Sequence, residues 1–202
     1  MKFNSDFLSP KEILKLEFKK IGKNVKISKN CLIIGTKKII IGDNVRIDAF
    51  TYISCSNKFL KIGDNTHIGS HCFIQSNGGI TIGSYCGLGS GSKLISASES
   101  YDGQGLNNLN LFKKNLPKKF KYFEKKLISP IKINNHVIIG VNSTILGNVE
   151  IGLNTAIAAH SFVNKSLKGG YVYSGNPILS IYKKSKNSIK FAKIINKYDK
   201  KR

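Results

Sequence analysis

Residues 131–163 read IKINNHVIIGVNSTILGNVEIGLNTAIAAHSFV, and within them Ile133, Ile139, Ile145, Ile151, Ile157 and Val163 recur six residues apart. A helix repeats every 3.6 residues and a strand every 2, so a period of six fits neither. It fits a triangular solenoid whose sides each contribute one inward side chain, three hexads closing a coil of about 18 residues. The stretch therefore predicts an all-β solenoid.

The same beat runs upstream as Ile21, Ile27, Ile33, then Ile41, Ile47, Ile53, then Ile62, Ile68, Ile74, Ile80, and again as Ile82, Leu88, Leu94, with a phase slip at each restart. Four places after most of these stand small or β-branched residues: Val25, Cys31, Val45, Thr51, Thr66, Cys72, Cys86, Ser92, Val137, Ser143, Val149, Thr155 and Ser161. A tight inside corner selects such residues. Asp43-Asn44 and Asp64-Asn65, each following a glycine, suit the turns between faces because their side chains bond neighbouring backbone and tolerate positive φ.

At 202 residues the chain is long enough for a continuous core, and a solenoid grows coil by coil because each coil contacts only its neighbours. No apolar run approaches a membrane span, and the N-terminus MKFNSDFLSP lacks the apolar core of a signal peptide, so a cytoplasmic location is expected. Cys31, Cys55, Cys72 and Cys86 form no CxxC or zinc-like spacing and read as four reduced thiols. The net charge of +22 invites a nucleic-acid reading. Arg46 and Arg202 are the only arginines, however, and the lysines are spread along the chain, so a surface that attracts anionic small ligands is the expectation and a nucleic-acid partner is not.

The organisation is predicted in three parts. Residues 1–20 form an N-terminal helical cap over the first coil, with Ser9, Pro10 and Glu12 as its start signal. Residues 21–176 form the solenoid, broken at 96–130 by a polar insertion too long for a corner, and long loops on rigid scaffolds carry function. Residues 177–202 read as a basic C-terminal helix, with Ile178, Ile181, Ile189, Phe191 and Ile194 packed on the last coil.

The run PIKINNHVIIGVNSTILGNVEIGLNTAIAAHSFVNKSLKGGYVYSGNPILSIYK, residues 130–183, resembles the C-terminal half of bacterial sugar acetyltransferases of the hexapeptide-repeat family. Ala158-Ala159-His160-Ser161 stands where that family has GAGS, and Ser174-Gly175-Asn176-Pro177-Ile178 where it has AGNPA. The resemblance implies a left-handed parallel β-helix, acetyl-CoA as cosubstrate and a homotrimer with sites between neighbouring solenoids. Upstream, HIGSHCFIQSNGGITIGSYCGLGSGSKLISASESYDG is similar more narrowly to the N-acyltransferases of dTDP-4-amino-4,6-dideoxyglucose, which carry an SASE or SASD segment. Galactoside and maltose acetyltransferases place a histidine at the start of this loop, whereas residues 96–130 here contain none.

Acyl transfer from a thioester requires a nucleophile that has lost its proton, a stabilised oxyanion and in-line positioning. His67, outward and matching an HIxxxC pattern of the resembling enzymes, is the first candidate base; His71, just before the corner residue Cys72, is the second, and Glu99 or Asp102 are carboxylate alternatives. His136 and His160 each fall three places after an inward Ile and point outward. A metal centre like that of γ-class carbonic anhydrase, on the same fold, needs paired ligands five residues apart; His67 and His71 are four apart, so no metal is expected. The resemblance suggests Gly140, Ala158 and Ala159 backbone groups for the coenzyme arm, with Lys165, Lys183 and Lys184 near its phosphates, and Ser100, Tyr101, Asp102, Gly103 and Asn107 for the sugar.

These features together imply an N-acetyltransferase for a dTDP- or UDP-linked amino sugar in surface-glycan assembly such as O-antigen. The alternatives are a sugar or serine O-acetyltransferase, a metal-dependent hydratase and a non-catalytic binding solenoid. The AGNP-like terminus and the long insertion argue against the last.

Overall fold

The computed structural model describes residues 7–99 and 126–199. The chain winds as a left-handed parallel β-helix of six coils with three flat faces. The first face stacks Lys20–Ile21, Ile39–Ile41, Leu60–Ile62, Ile80–Ile82, Ile131–Ile133 and Val149–Ile151. The second stacks Lys26–Ile27, Arg46–Ile47, His67–Ile68, Gly87–Leu88, Ile138–Ile139, Ala156–Ile157 and Tyr171–Ser174, and ends on an antiparallel edge strand, Leu179–Lys183. The third stacks Leu32–Ile34, Tyr52–Ser54, Phe73–Gln75, Lys93–Ile95, Thr144–Leu146 and Phe162–Val163.

From Ile41 through Val163 the hexad residues named from the sequence are all buried inside this prism; Ile21 and Ile33, in the terminal coil, are partly covered. Burying each such side chain contributes about 1.5–3 kcal/mol. The corner residues Val45, Thr51, Thr66, Ser92, Val137, Ser143 and Thr155 are buried too, and the hydroxyls among them bond backbone carbonyls, as Thr51 does to Gly69. The turns take left-handed φ at the residue three places after an inward one, where Asn44 (55°) and Asn65 (53°) sit as the turn chemistry predicts. Their side chains join Asn24 in an amide ladder with 3.1 Å bonds from coil to coil.

Three expectations change. Coils are not uniformly 18 residues: Ile21, Ile41, Ile62 and Ile82 lie 20, 21 and 20 residues apart on the first face, and only Ile133 and Ile151 are 18 apart. The surplus sits at the third corner, so the first face usually carries two inward residues, Ile80 and Ile82 for example, and Val149 is a strand residue of this kind rather than a corner. At the N-terminus, helix α1 (Pro10–Lys15) has the expected Ser9–Glu12 capping box but buries none of its residues; Leu8 and Phe18, flanking it, cover the core. At the C-terminus, residues 179–183 are a strand. Their exposed side chains extend the second face at its edge, and helix α2 starts only at Lys186. Of the predicted apolar stripe only Ile178 is buried; Ile181, Phe191 and Ile194 are exposed, and Ala192 makes the buried contact of α2.

Candidate active site

His67 opens the third strand of the second face, where its outward position follows from Ile68 pointing in. In the sheet it lies between Arg46 and Gly87, one coil to either side. Its Nε2 is 2.7 Å from Asp48 Oδ2, and the other carboxylate oxygen accepts from Arg46 Nε at 2.6 Å. The Arg46 guanidinium in turn lies over the Phe7 ring, 5.5 Å from its centroid. Partial burial pushes the Asp48 carboxyl up, but the bonds from His67 and Arg46, with their charges, outweigh it and hold Asp48 below the ordinary aspartate range. With Nε2 held by Asp48, Nδ1 is the ring atom left for a substrate. A side chain at Gly87 would meet nothing within 4 Å, so the surface beside His67 is open, and the next residue in the row, Ile138, is an exposed apolar neighbour.

His71 has another place. It occupies a left-handed turn at the second corner (φ 59°), its ring 5.0 Å from that of Phe50, and belongs to a column of corner residues that includes His160 (φ 57°). His136 stacks on Tyr85 at the first corner, with ring centroids 4.9 Å apart. Among the described residues no three potential metal ligands converge.

The six residues expected at the coenzyme fall on three different corners. Gly140 packs against Ala158 and Ala159 at the second, so tightly that an added Cβ would lie 2.4 Å from the Ala159 nitrogen. Two of the expected amides are engaged in the coil ladder, Gly140 donating to Ile157 and Ala158 to Tyr173, both at 2.8 Å, whereas Ala159 lies exposed at the turn. Lys165 is exposed on the third corner. Lys183 and Lys184 belong to the first, where the Lys184 amide bonds Gly170 and its ammonium bonds Asn154 at 3.1 Å. In one chain, then, these residues do not form one site. The reason is that each corner is separated from the next by a whole face.

The insertion leaves the third corner after the fourth coil as an antiparallel ribbon, Ala97–Glu99 against Lys126–Ile128. Ser100, Tyr101, Asp102, Gly103 and Asn107 lie outside the described residues. The backbone of Glu99 thus emerges at a different side of the prism from His67.

Asp48, Arg46 and Gly87 are the neighbours of His67 that the sequence did not single out. The available signal is spacing: Asp48 precedes His67 by 19 residues, two short of the 21-residue coil that pairs Arg46 with His67.

The family signature described as the hexapeptide repeat of succinyl-transferase matches residues 60–94. The dTDP-4-amino-4,6-dideoxy-D-glucose acyltransferase of Escherichia coli is 30% identical over 188 residues, 93% of this chain and 94% of that protein. The chain belongs to the hexapeptide-repeat acyltransferase family. A crystal structure of AntD, an N-acyltransferase from Bacillus cereus, in complex with dTDP and 3-hydroxybutyryl-CoA superposes with a TM-score of 0.82 at 30% identity, covering 98% of this chain and all of that one. A variant of AntD bound to dTDP-4-amino-4,6-dideoxyglucose and coenzyme A gives the same TM-score and identity over the whole of both chains. A hexapeptide-repeat acetyltransferase from Vibrio cholerae, at 20% identity and TM-score 0.58, shares the fold.

Proposed function

We propose that the protein transfers an acyl group, acetyl in the first instance, from its coenzyme A thioester to the amine of a dTDP-linked 4-amino-4,6-dideoxy sugar. The observation that carries this reading is the likeness over the length of the chain to an enzyme bound to that sugar nucleotide and coenzyme A. In the reaction the amine nitrogen bonds the thioester carbonyl carbon, the carbon–sulfur bond breaks, and the proton shed by nitrogen ends on the departing thiolate through a protein base. His67, oriented by Asp48, is our first assignment for that base, and Glu99 at the root of the insertion the second. The coenzyme arm is assigned to the second corner at Ala159, and the sugar to the insertion.

Because His67 and the insertion stand on different sides of one solenoid, the reading requires a neighbouring chain to complete the site, which favours a homotrimer. A cytoplasmic location and a role in surface-glycan assembly belong to the same proposal. The His67–Asp48 pair also supports the second reading, O-acyl transfer, since an oriented imidazole is what an alcohol nucleophile needs.

The test is thiol release from acetyl-CoA and 3-hydroxybutyryl-CoA with a panel of dTDP- and UDP-linked amino sugars. Release that depends on a dTDP-amino sugar is expected. No release above hydrolysis with any member of the panel would reject the proposal.

A further inference from the structure

Among the described residues twelve other than glycine take a left-handed φ, and nine of these are Asn or His, types that tolerate it. The exceptions are Glu17, Tyr85 and Phe50. Glu17 stands just past the end of helix α1, where left-handed residues are common, and Tyr85 is half-buried with its ring stacked on His136. Phe50, at φ 61°, is 61% exposed, and its ring leans on His71 at 37° with centroids 5.0 Å apart.

A bulky side chain in this conformation costs backbone energy, and an exposed ring recovers little of it by burial. Later coils place Asn142 and His160 at the same turn of the second corner. Asn at position 50 would serve the fold better than Phe. The ring is therefore kept for a contact outside the coil, and strain held at an exposed aromatic is the mark of a functional contact.

Phe50 lies two residues past Asp48 and His71 four past His67, and the two turns are joined by the His71 amide donating to the Ala49 carbonyl at 3.1 Å. Both rings stand at the edge of the face that carries the His67–Asp48 pair. Four residues of chain span at most about 14 Å, which bounds the distance from His67 to His71. Ala159 stands on the same corner three coils further on, about 14 Å at the spacing of parallel strands. A coenzyme arm entering at Ala159 with its thiol toward His67 leaves its own nucleotide on the far side, away from Phe50. The flat ring left for Phe50 is the base of the acceptor nucleotide.

We propose that Phe50, backed by His71, is the stacking platform for the pyrimidine base of the sugar nucleotide. Stacking on such a ring strengthens base binding roughly 5- to 150-fold. The choice of base rests on the acyltransferase reading, and the requirement for a flat partner rests on Phe50 itself.

The experiment is isothermal titration calorimetry on the full chain with dTDP, inorganic pyrophosphate and coenzyme A, beside thermal melts and light scattering. Phe50→Asn gives the turn a residue it prefers, and is expected to raise Tm by about 2–4 °C while weakening dTDP about tenfold or more. Phe50→Tyr keeps a ring and is expected to stay within about twofold of wild type. His71→Asn keeps the turn and is expected to weaken dTDP about threefold. Pyrophosphate, which has no base, and coenzyme A should bind wild type and variants alike, and in turnover the loss should fall on KM for the sugar nucleotide. Three results would each overturn the proposal: dTDP affinity unchanged in both Phe50→Asn and His71→Asn, a loss for coenzyme A in place of dTDP, or a lower Tm with a smaller assembly in Phe50→Asn, which makes Phe50 a packing residue between chains. Turnover by the wild type with dTDP affinity independent of Phe50 removes the platform alone. Binding of dTDP that depends on Phe50, without turnover of any amino sugar, leaves the platform and removes the acyltransferase reading.

Discussion

Replacing His67 tests whether the Arg46–Asp48–His67 row is a catalytic device or a surface ion pair. A positioned proton acceptor contributes about 10²–10⁴-fold, and an amine that is already nucleophilic when neutral needs the lower end. His67→Ala is therefore expected to lower kcat/KM by about 100-fold, equivalent to about 2.7 kcal/mol of transition-state stabilisation. Asp48→Asn removes a charge-assisted bond that orients the ring without removing the ring, and a loss of about tenfold is expected. Both should leave the fold in place, since the His67 side chain is 54% exposed and such pairs contribute at most about 1 kcal/mol, a Tm shift of about 2–4 °C for a chain of this size. The pH dependence has a definite sign. Asp48 is held below its ordinary range, so the stability it contributes is complete at neutral pH and is lost only as the pH falls below about 4 and through its folded value. Steady-state kinetics on the two single variants and the double variant decide the matter. If Asp48 acts through His67, the double variant equals His67→Ala; full activity in His67→Ala, or losses that multiply in the double variant, would refute the reasoning.

Replacing residues 100–125 by an Asn-Gly turn joins Glu99 to Lys126 across a ribbon that already pairs them, so circular dichroism should report an intact solenoid while dTDP-sugar turnover disappears; an unfolded product would show that the insertion is structural. Matched amino and hydroxy sugar nucleotides should differ in rate by several orders of magnitude, and comparable rates would favour O-acyl transfer. Gly140→Ala should destabilise the protein and weaken coenzyme binding, because the added Cβ lies against backbone of the next coil; an unchanged Tm would contradict that packing. Burial pushes the thiols of Cys72 and Cys86 up to about 11, so about 0.1% of each is thiolate at pH 8, and native protein should leave them unmodified by a thiol reagent that labels them in denaturant.

The period of six, held within the runs 21–33, 41–53, 62–80, 82–94 and 133–163, was enough to name a solenoid and its inward side chains, because a flat face with a fixed rise selects apolar residues at fixed positions regardless of what lies in the neighbouring coil. Its left hand came from the family resemblance. The local signals at Ser9-Pro10 and at Asn44 and Asn65 were legible for the same reason: capping and left-handed turns are satisfied within a few residues. The His67 candidate was legible only as an outward residue. That Arg46 and Gly87 flank it, and that Asp48 holds its ring, depends on the lateral register of coils, which is set by how many residues each third corner inserts. Likewise Lys183 and Lys184 follow the family-like SGNP segment in sequence, yet the strand at 179–183 turns back along the second face and delivers them to the first corner, away from Ala159. Period determines which way a side chain points. Which other side chains it meets is decided by coil length and corner geometry, quantities that only the closed tertiary structure defines.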